Sequence, residues 1–230
     1  MKQELREPIR VYIENGRRRT FAGALDWPGW SRIGNDENSA IEALFDVWPR
    51  YSAVLQAAQI DFPAPAEINE LKVVERLNGN ATTDFGAPNI PPKADRLLIE
   101  EEEFSHLQSI LMACWQAFDA AVIAATDREL RTGPRGGGRD LLGILQHVVS
   151  SDASDLAHLA CRFKVRDPLN PMDELGRIRQ TTLNALARIA LDGIPEQAAT
   201  TGELWTARHF IRTLTWHTLD HAWEIEDRTL

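Results

Sequence analysis

The chain has 230 residues, 43% of them hydrophobic and 26% charged, and a formal net charge of -9. Such a chain can bury one large core or two small ones, and its acidic total with no basic stripe speaks against a nucleic-acid partner. The opening MKQELREPIR has no apolar signal core and the longest purely apolar runs, such as Ala120 to Ala125, are short. A cytoplasmic protein with no membrane span is therefore expected.

Residues 9–25 have the pattern of a β-hairpin. Val11 and Ile13 sit at strand spacing, Asn15-Gly16 supplies a turn tolerant of left-handed backbone, and Phe21 to Leu25 forms the return strand. WPGW at 27–30 ends that strand. Asp36 or Asn35 caps a helix from about Glu37 to Gln56, with Ile41, Leu44, Phe45 and Trp48 on its apolar face and Pro49 kinking or interrupting it. LKVVERL, Leu71 to Leu77, is a further strand. The expectation for 1–77 is a small ββαβ layer. Residues 78–95, rich in Asn, Gly and Pro, form a linker or a crossing loop, with Thr82, Thr83 and Asp84 either capping it or walling a site.

From about residue 96 the periodicity becomes helical. Phe104, Leu107, Leu111, Cys114, Trp115, Phe118 and Val122 predict a helix over 96–126. RTGPRGGGR at 131–139 breaks it, and Asp140 opens a second helix over 140–164. A third covers 173–191, stopping at Asp192-Gly193, and a fourth covers 203–227. Four helices with short connections predict a four-helix bundle over 96–230, so the fold class is α+β. Cys114 and Cys161 form no CxxC pair and are expected to be reduced, helix-packed thiols.

The segment WHTLDHAWEIEDR, Trp216 to Arg228, contains no Gly or Pro and sets His217 and His221 four residues apart. On a helix both fall on one face, in line with Leu214 and Phe210. Two inward imidazoles are either a hydrogen-bonded pair or two ligands of a divalent cation. A metal site needs a third donor from another helix, and the second helix offers His147 beside its apolar stripe of Leu141, Ile144, Leu145 and Val148. His158 lies eleven residues on, roughly 16 Å along a helix, too far to share an ion with His147. Trp216 and Trp223, seven apart, fit a core stripe.

One histidine on the second helix and an HxxxH pair on the fourth resembles the DinB-like family of bacterial four-helix bundles, over about residues 95–230. The resemblance implies that His147, His217 and His221 bind one divalent ion, such as zinc, nickel or iron. It also implies a metal-dependent transferase or isomerase that acts on a small molecule with a low-molecular-weight thiol as cosubstrate. Homodimers are compatible with such a bundle. In the N-terminal part, Leu25-Asp26-Trp27-Pro28-Gly29, Gly34, and Asp36 through Ala43 resemble the HicB-like antitoxin fold, which implies the fold of that layer. A non-enzymatic binding or regulatory protein, with a structural metal or none, is the alternative.

Around the triad, Glu224 follows His221 by three residues on the same stripe. It is a fourth ligand, a general base, an acceptor for an imidazole N–H, or a surface carboxylate of the acidic helix end. Asp220 flanks the pair more loosely. Arg135 and Arg139 stand beside the N-terminus of the second helix, where they either hold a substrate anion or belong to a plain connector.

Overall fold

The computed structural model describes residues 7–97, 99–132, 138–192 and 203–230. Two compact units divide between Arg96 and Leu97.

Unit 1 is a four-stranded sheet carrying two longer helices and one of five residues. The strands are β1 (Ile9–Asn15), β2 (Thr20–Ala24), β3 (Ser31–Gly34) and β4 (Leu71–Asn78), in the order β3-β2-β1-β4. β1 to β3 run antiparallel, and β4 returns parallel to β1 after α1 (Glu37–Asp46) and α2 (Trp48–Ala57). β3 corrects the ββαβ expectation. Gly29, at φ 92°, lets WPGW turn the chain back rather than end it, so Ser31 pairs with Gly23 and Gly34 with Thr20. Trp30 then fills the space under the helices, donating its indole N–H to the Leu44 carbonyl at 2.8 Å and stacking on Tyr51. Asp36 caps α1 by accepting from the Ser39 amide, and Pro49 sits in the first turn of α2, so one expected helix is two.

The hairpin turn differs in its cause. Neither Asn15 nor Gly16 is left-handed; Gly16 is needed for room, because a Cβ there would stand 2.4 Å from Oδ1 of Asp84 and 2.9 Å from the Arg19 carbonyl. Asp84 belongs to α3 (Ala81–Phe85), which folds residues 81–85 onto the sheet instead of leaving them as a free linker. Its carboxylate accepts the Arg18 amide, and Thr83 donates its hydroxyl to the fully buried Glu14. Glu14 also accepts the Asn89 and Ile90 amides at 3.1 Å. Thr83 and Asp84 are thus fastenings for the loop, and Thr82 donates its amide to Oδ1 of Asn80, the α3 cap.

Unit 2 is built from α4 (Glu101–Ala125), α5 (Leu141–Asp155), α6 (Pro171–Asp192) and α7 (Ala207–Arg228). Asp140 caps α5 through the Gly143 amide at 2.8 Å, and Thr206 caps α7. Leu111, Phe118, Ile144, Val148, Leu186 and Phe210 meet in one core. α5 ends nine residues earlier than the pattern predicts, passing into a 3-10 turn over Leu156–Leu159 that closes with Ala160 at φ 57°. The cause is tertiary: His158 stacks flat on Trp205 at 3.9 Å, and its carbonyl accepts the Trp205 amide. Cys161 consequently lies beyond a helix, while Cys114 is buried within α4; both are free. Among the described residues, α4 is the one helix long and apolar enough to cross a membrane, contrary to the run-length expectation, but half of its apolar window is buried inside the protein.

Glu14→Ala would leave three donors without their acceptor, the buried Thr83 hydroxyl and the partly buried Asn89 and Ile90 amides, which all point at its carboxylate. A loss of about 3 kcal/mol is expected in urea unfolding followed by circular dichroism. An unchanged midpoint would remove Glu14 from its role as fastening.

Candidate metal centre

The inward stripe of α7 changes character halfway along. Phe210 and Leu214 are apolar, and the next positions of the same face are His217, His221, Glu224 and Arg228. Across from them α5 contributes His147, seven residues after its Asp140 cap, and Asp152. His217 and His221 are buried, whereas His147 is half-buried, so the His147 side is the more accessible side of the centre.

The structure brings the three expected imidazoles together: one ring nitrogen from each of His147, His217 and His221 lies within 4.8 Å of the others. Ring centroids are 4.7 Å apart for His217 and His221, 4.9 Å for His147 and His221, and 5.4 Å for His147 and His217. Nε2 of His147 and Nε2 of His217 are separated by 3.4 Å. An ion about 2.1 Å from both would see them about 108° apart, close to the tetrahedral angle.

The other ring nitrogens decide which atoms face inward. Nδ1 of His221 is 2.9 Å from Oε2 of Glu224, so its N–H donates there and Nε2 is left with its lone pair. Nδ1 of His217 lies 3.3 Å from Oδ1 of Asp152, near enough for charge attraction but poorly aligned for a hydrogen bond. Carboxylate behind imidazole is the arrangement that fixes tautomer and ring orientation in metal sites. Glu224 is itself held: Nη1 of Arg228 donates to its Oε1 at 2.5 Å. The same guanidinium donates from Nε to the Arg131 carbonyl and from Nη2 to the Arg139 carbonyl, each at 2.8 Å.

The electrostatics keep one ligand unprotonated and load another. Burial, followed by the positive charges of His221, Arg139 and His217, pushes His147 down to about 4. Burial opposes a charge on His217 as well, but the Asp152 carboxylate outweighs it and raises His217 above the ordinary imidazole value. The hydrogen bond from His221, helped by Arg228, holds Glu224 below the usual carboxylate range. Burial and the neighbouring Asp152 push Asp155 up to about 6.

Glu224 is placed as an acceptor behind His221, the third of its expected roles. Asp220 is exposed and acts on His217 only through its charge. Arg139 lies at the rim, and Arg135 falls outside the described residues. Trp223 is buried and Trp216 only half-buried. Asp152 and Arg228 are the two residues the sequence pattern did not single out. Asp152 had a signal: it occupies the apolar register of Leu145, Val149 and Leu156, all buried, where a carboxylate needs a reason. Arg228 sits one turn after Glu224 but reads as part of a charged helix end.

No family model, curated protein or solved structure matches this chain.

Protons and a metal compete for the same imidazoles. His147, with its folded value below the ordinary 6.5, opposes folding when protonated, so that part of the metal-free protein's stability falls as pH drops from about 6.5 towards 4. His217 runs the other way: its pairing stabilises the fold below the ordinary value, and this is lost as pH rises through its raised one. Zinc affinity, measured by competition with a chromophoric chelator, should therefore climb with pH above about 6.5 until His217 has lost its proton. Asp152→Asn should move that climb to lower pH. A pH-independent affinity would contradict it. Glu224→Gln should weaken zinc binding by about 10–100-fold, and an unchanged affinity would mean that His221 needs no support.

Proposed function

We propose that this protein binds one divalent metal ion through His147, His217 and His221 and uses it to act on a small molecule, as a metal-dependent transferase or isomerase of low-molecular-weight thiols. The observation that carries the metal reading is the convergence of three ring nitrogens within 4.8 Å, two of them on rings backed by carboxylates.

We read unit 2 as a DinB-like bundle on the order of its histidines along the helices, and unit 1 as a HicB-like layer on its Pro28-Gly29 turn, Gly34 and the Asp36 cap. Three neutral imidazoles leave further coordination positions for water or substrate, as catalytic zinc sites do. Such an ion lowers the proton affinity of a bound water or thiol. Imidazole accepts zinc, nickel or iron, so the ligands do not choose among them. The protein's own contribution is to hold the rings. Glu224 keeps the proton of His221 on Nδ1, Asp152 sets its charge behind His217, His221 and Arg228 keep Glu224 ionised, and half-buried His147 borders the side by which a substrate enters. The free state of both cysteines suits a reducing cytoplasm.

Metal analysis of freshly purified and zinc-reconstituted protein should find about one ion per chain, lost in His147→Ala and His217→Ala. Equally little metal in all three would end the metal reading. Consumption of a low-molecular-weight thiol with electrophilic acceptors, absent from both variants, is the expected activity. Full occupancy without turnover on any acceptor would instead favour a binding module with a structural ion.

A further inference from the structure

We propose that the substrate of this centre carries a carboxylate, which Arg139 receives while another atom of the same molecule sits at the ion. The inference rests on the metal reading above and adds the class of ligand.

The charges around the centre are unequally disposed. Three neutral imidazoles bring no negative charge to an ion. Behind them the Glu224 carboxylate is taken up by His221 and Arg228, and Asp152 faces His217. Asp140, adjacent in sequence to Arg139, directs Oδ1 to the Gly143 amide as a helix cap. Arg139 is exposed, and among the described residues its guanidinium has no acidic partner. The more accessible side of a loaded centre would thus present a divalent cation and a guanidinium, in a chain whose net charge is -9. A planar, two-oxygen anion suits that fork.

Placement supports the pairing. The Arg139 stem lies across Gly143: a Cβ built there would be 3.0 Å from Cβ and 3.5 Å from Cγ of Arg139. Gly143 is one helical turn before His147 on the same face of α5, and the room its missing side chain leaves is taken by the Arg139 stem and by Oδ1 of Asp140, 2.9 Å from the built Cβ. The Arg139 backbone is not loose, because its carbonyl accepts Nη2 of Arg228 at 2.8 Å. That guanidinium also grips Glu224, so the position of residue 139 is tied to the position of the His221 ring.

The test uses the full chain loaded with cobalt(II), whose thiolate charge-transfer absorption reports a sulfur ligand directly. Two thiols are titrated, 3-mercaptopropionate and the uncharged 2-mercaptoethanol. Wild type should prefer the carboxylate, and Arg139→Gln should reduce that preference about tenfold while leaving 2-mercaptoethanol binding unchanged. Gly143→Ala, which displaces the stem without removing the charge, should reduce it partly. The same preference in Arg139→Gln as in wild type overturns the carboxylate site and leaves the metal reading intact. Failure of cobalt to bind wild type overturns both.

Discussion

Glu224 is held at both ends: one oxygen faces Nδ1 of His221 and the other takes Nη1 of Arg228. Much else depends on that carboxylate. Without it His221 has no reason to keep its proton on Nδ1, and its inward nitrogen ceases to be defined. Arg228, which is buried, would lose its only anionic partner among the described residues, and a buried unpaired charge is far more costly than the pair is beneficial. Arg228 in turn holds the carbonyls of Arg131 and Arg139, beside the antiparallel bridge between Leu130 and Thr229. One carboxylate therefore connects the orientation of a ring to the course of the chain that leads into α5.

The apolar bundle tolerates this polar insertion because most of its atoms have partners. Arg228 makes three hydrogen bonds and Glu224 two. Asp152 and His217 are the exception, with Oδ1 and Nδ1 at 3.3 Å and neither well satisfied. Two facing Nε2 atoms at 3.4 Å pose the same difficulty: both lone pairs cannot be content unless a proton or a cation lies between them. Burial and neighbouring charge make His147 a reluctant bearer of that proton. The cluster is thus least comfortable where an ion would help it most.

What the sequence revealed follows from which physics is local. His217 and His221 were legible because helical spacing alone aligns them, and His147 because it borders a clear apolar stripe. The mixed α+β class followed from the change of period near residue 96. β3 was not legible: WPGW carries two strand-ending residues, and only the left-handed backbone at Gly29 shows that the chain reverses and pairs again. The early end of α5 was hidden for a different reason, since the stacking of His158 on Trp205 joins residues 47 apart in sequence. At Gly16 the turn pattern suggests a backbone angle, whereas the need is room for Asp84, which approaches from 68 residues away. Asp152 was within reach of a stricter rule, that a carboxylate in an apolar register requires a partner.

The switch along α7 from Phe210 and Leu214 to His217, His221, Glu224 and Arg228 has a further bearing on assembly. Apolar helices present nearly repeating surfaces, so a bundle can accept one of them a turn too high or too low with little penalty. This helix cannot be shifted so cheaply. Moved one way, it would lay Leu214 against the buried Asp152; moved the other, it would carry His217 down to the level of the hydrocarbon core. The polar half of the stripe thus works as a ratchet tooth that lets α7 seat in a single notch.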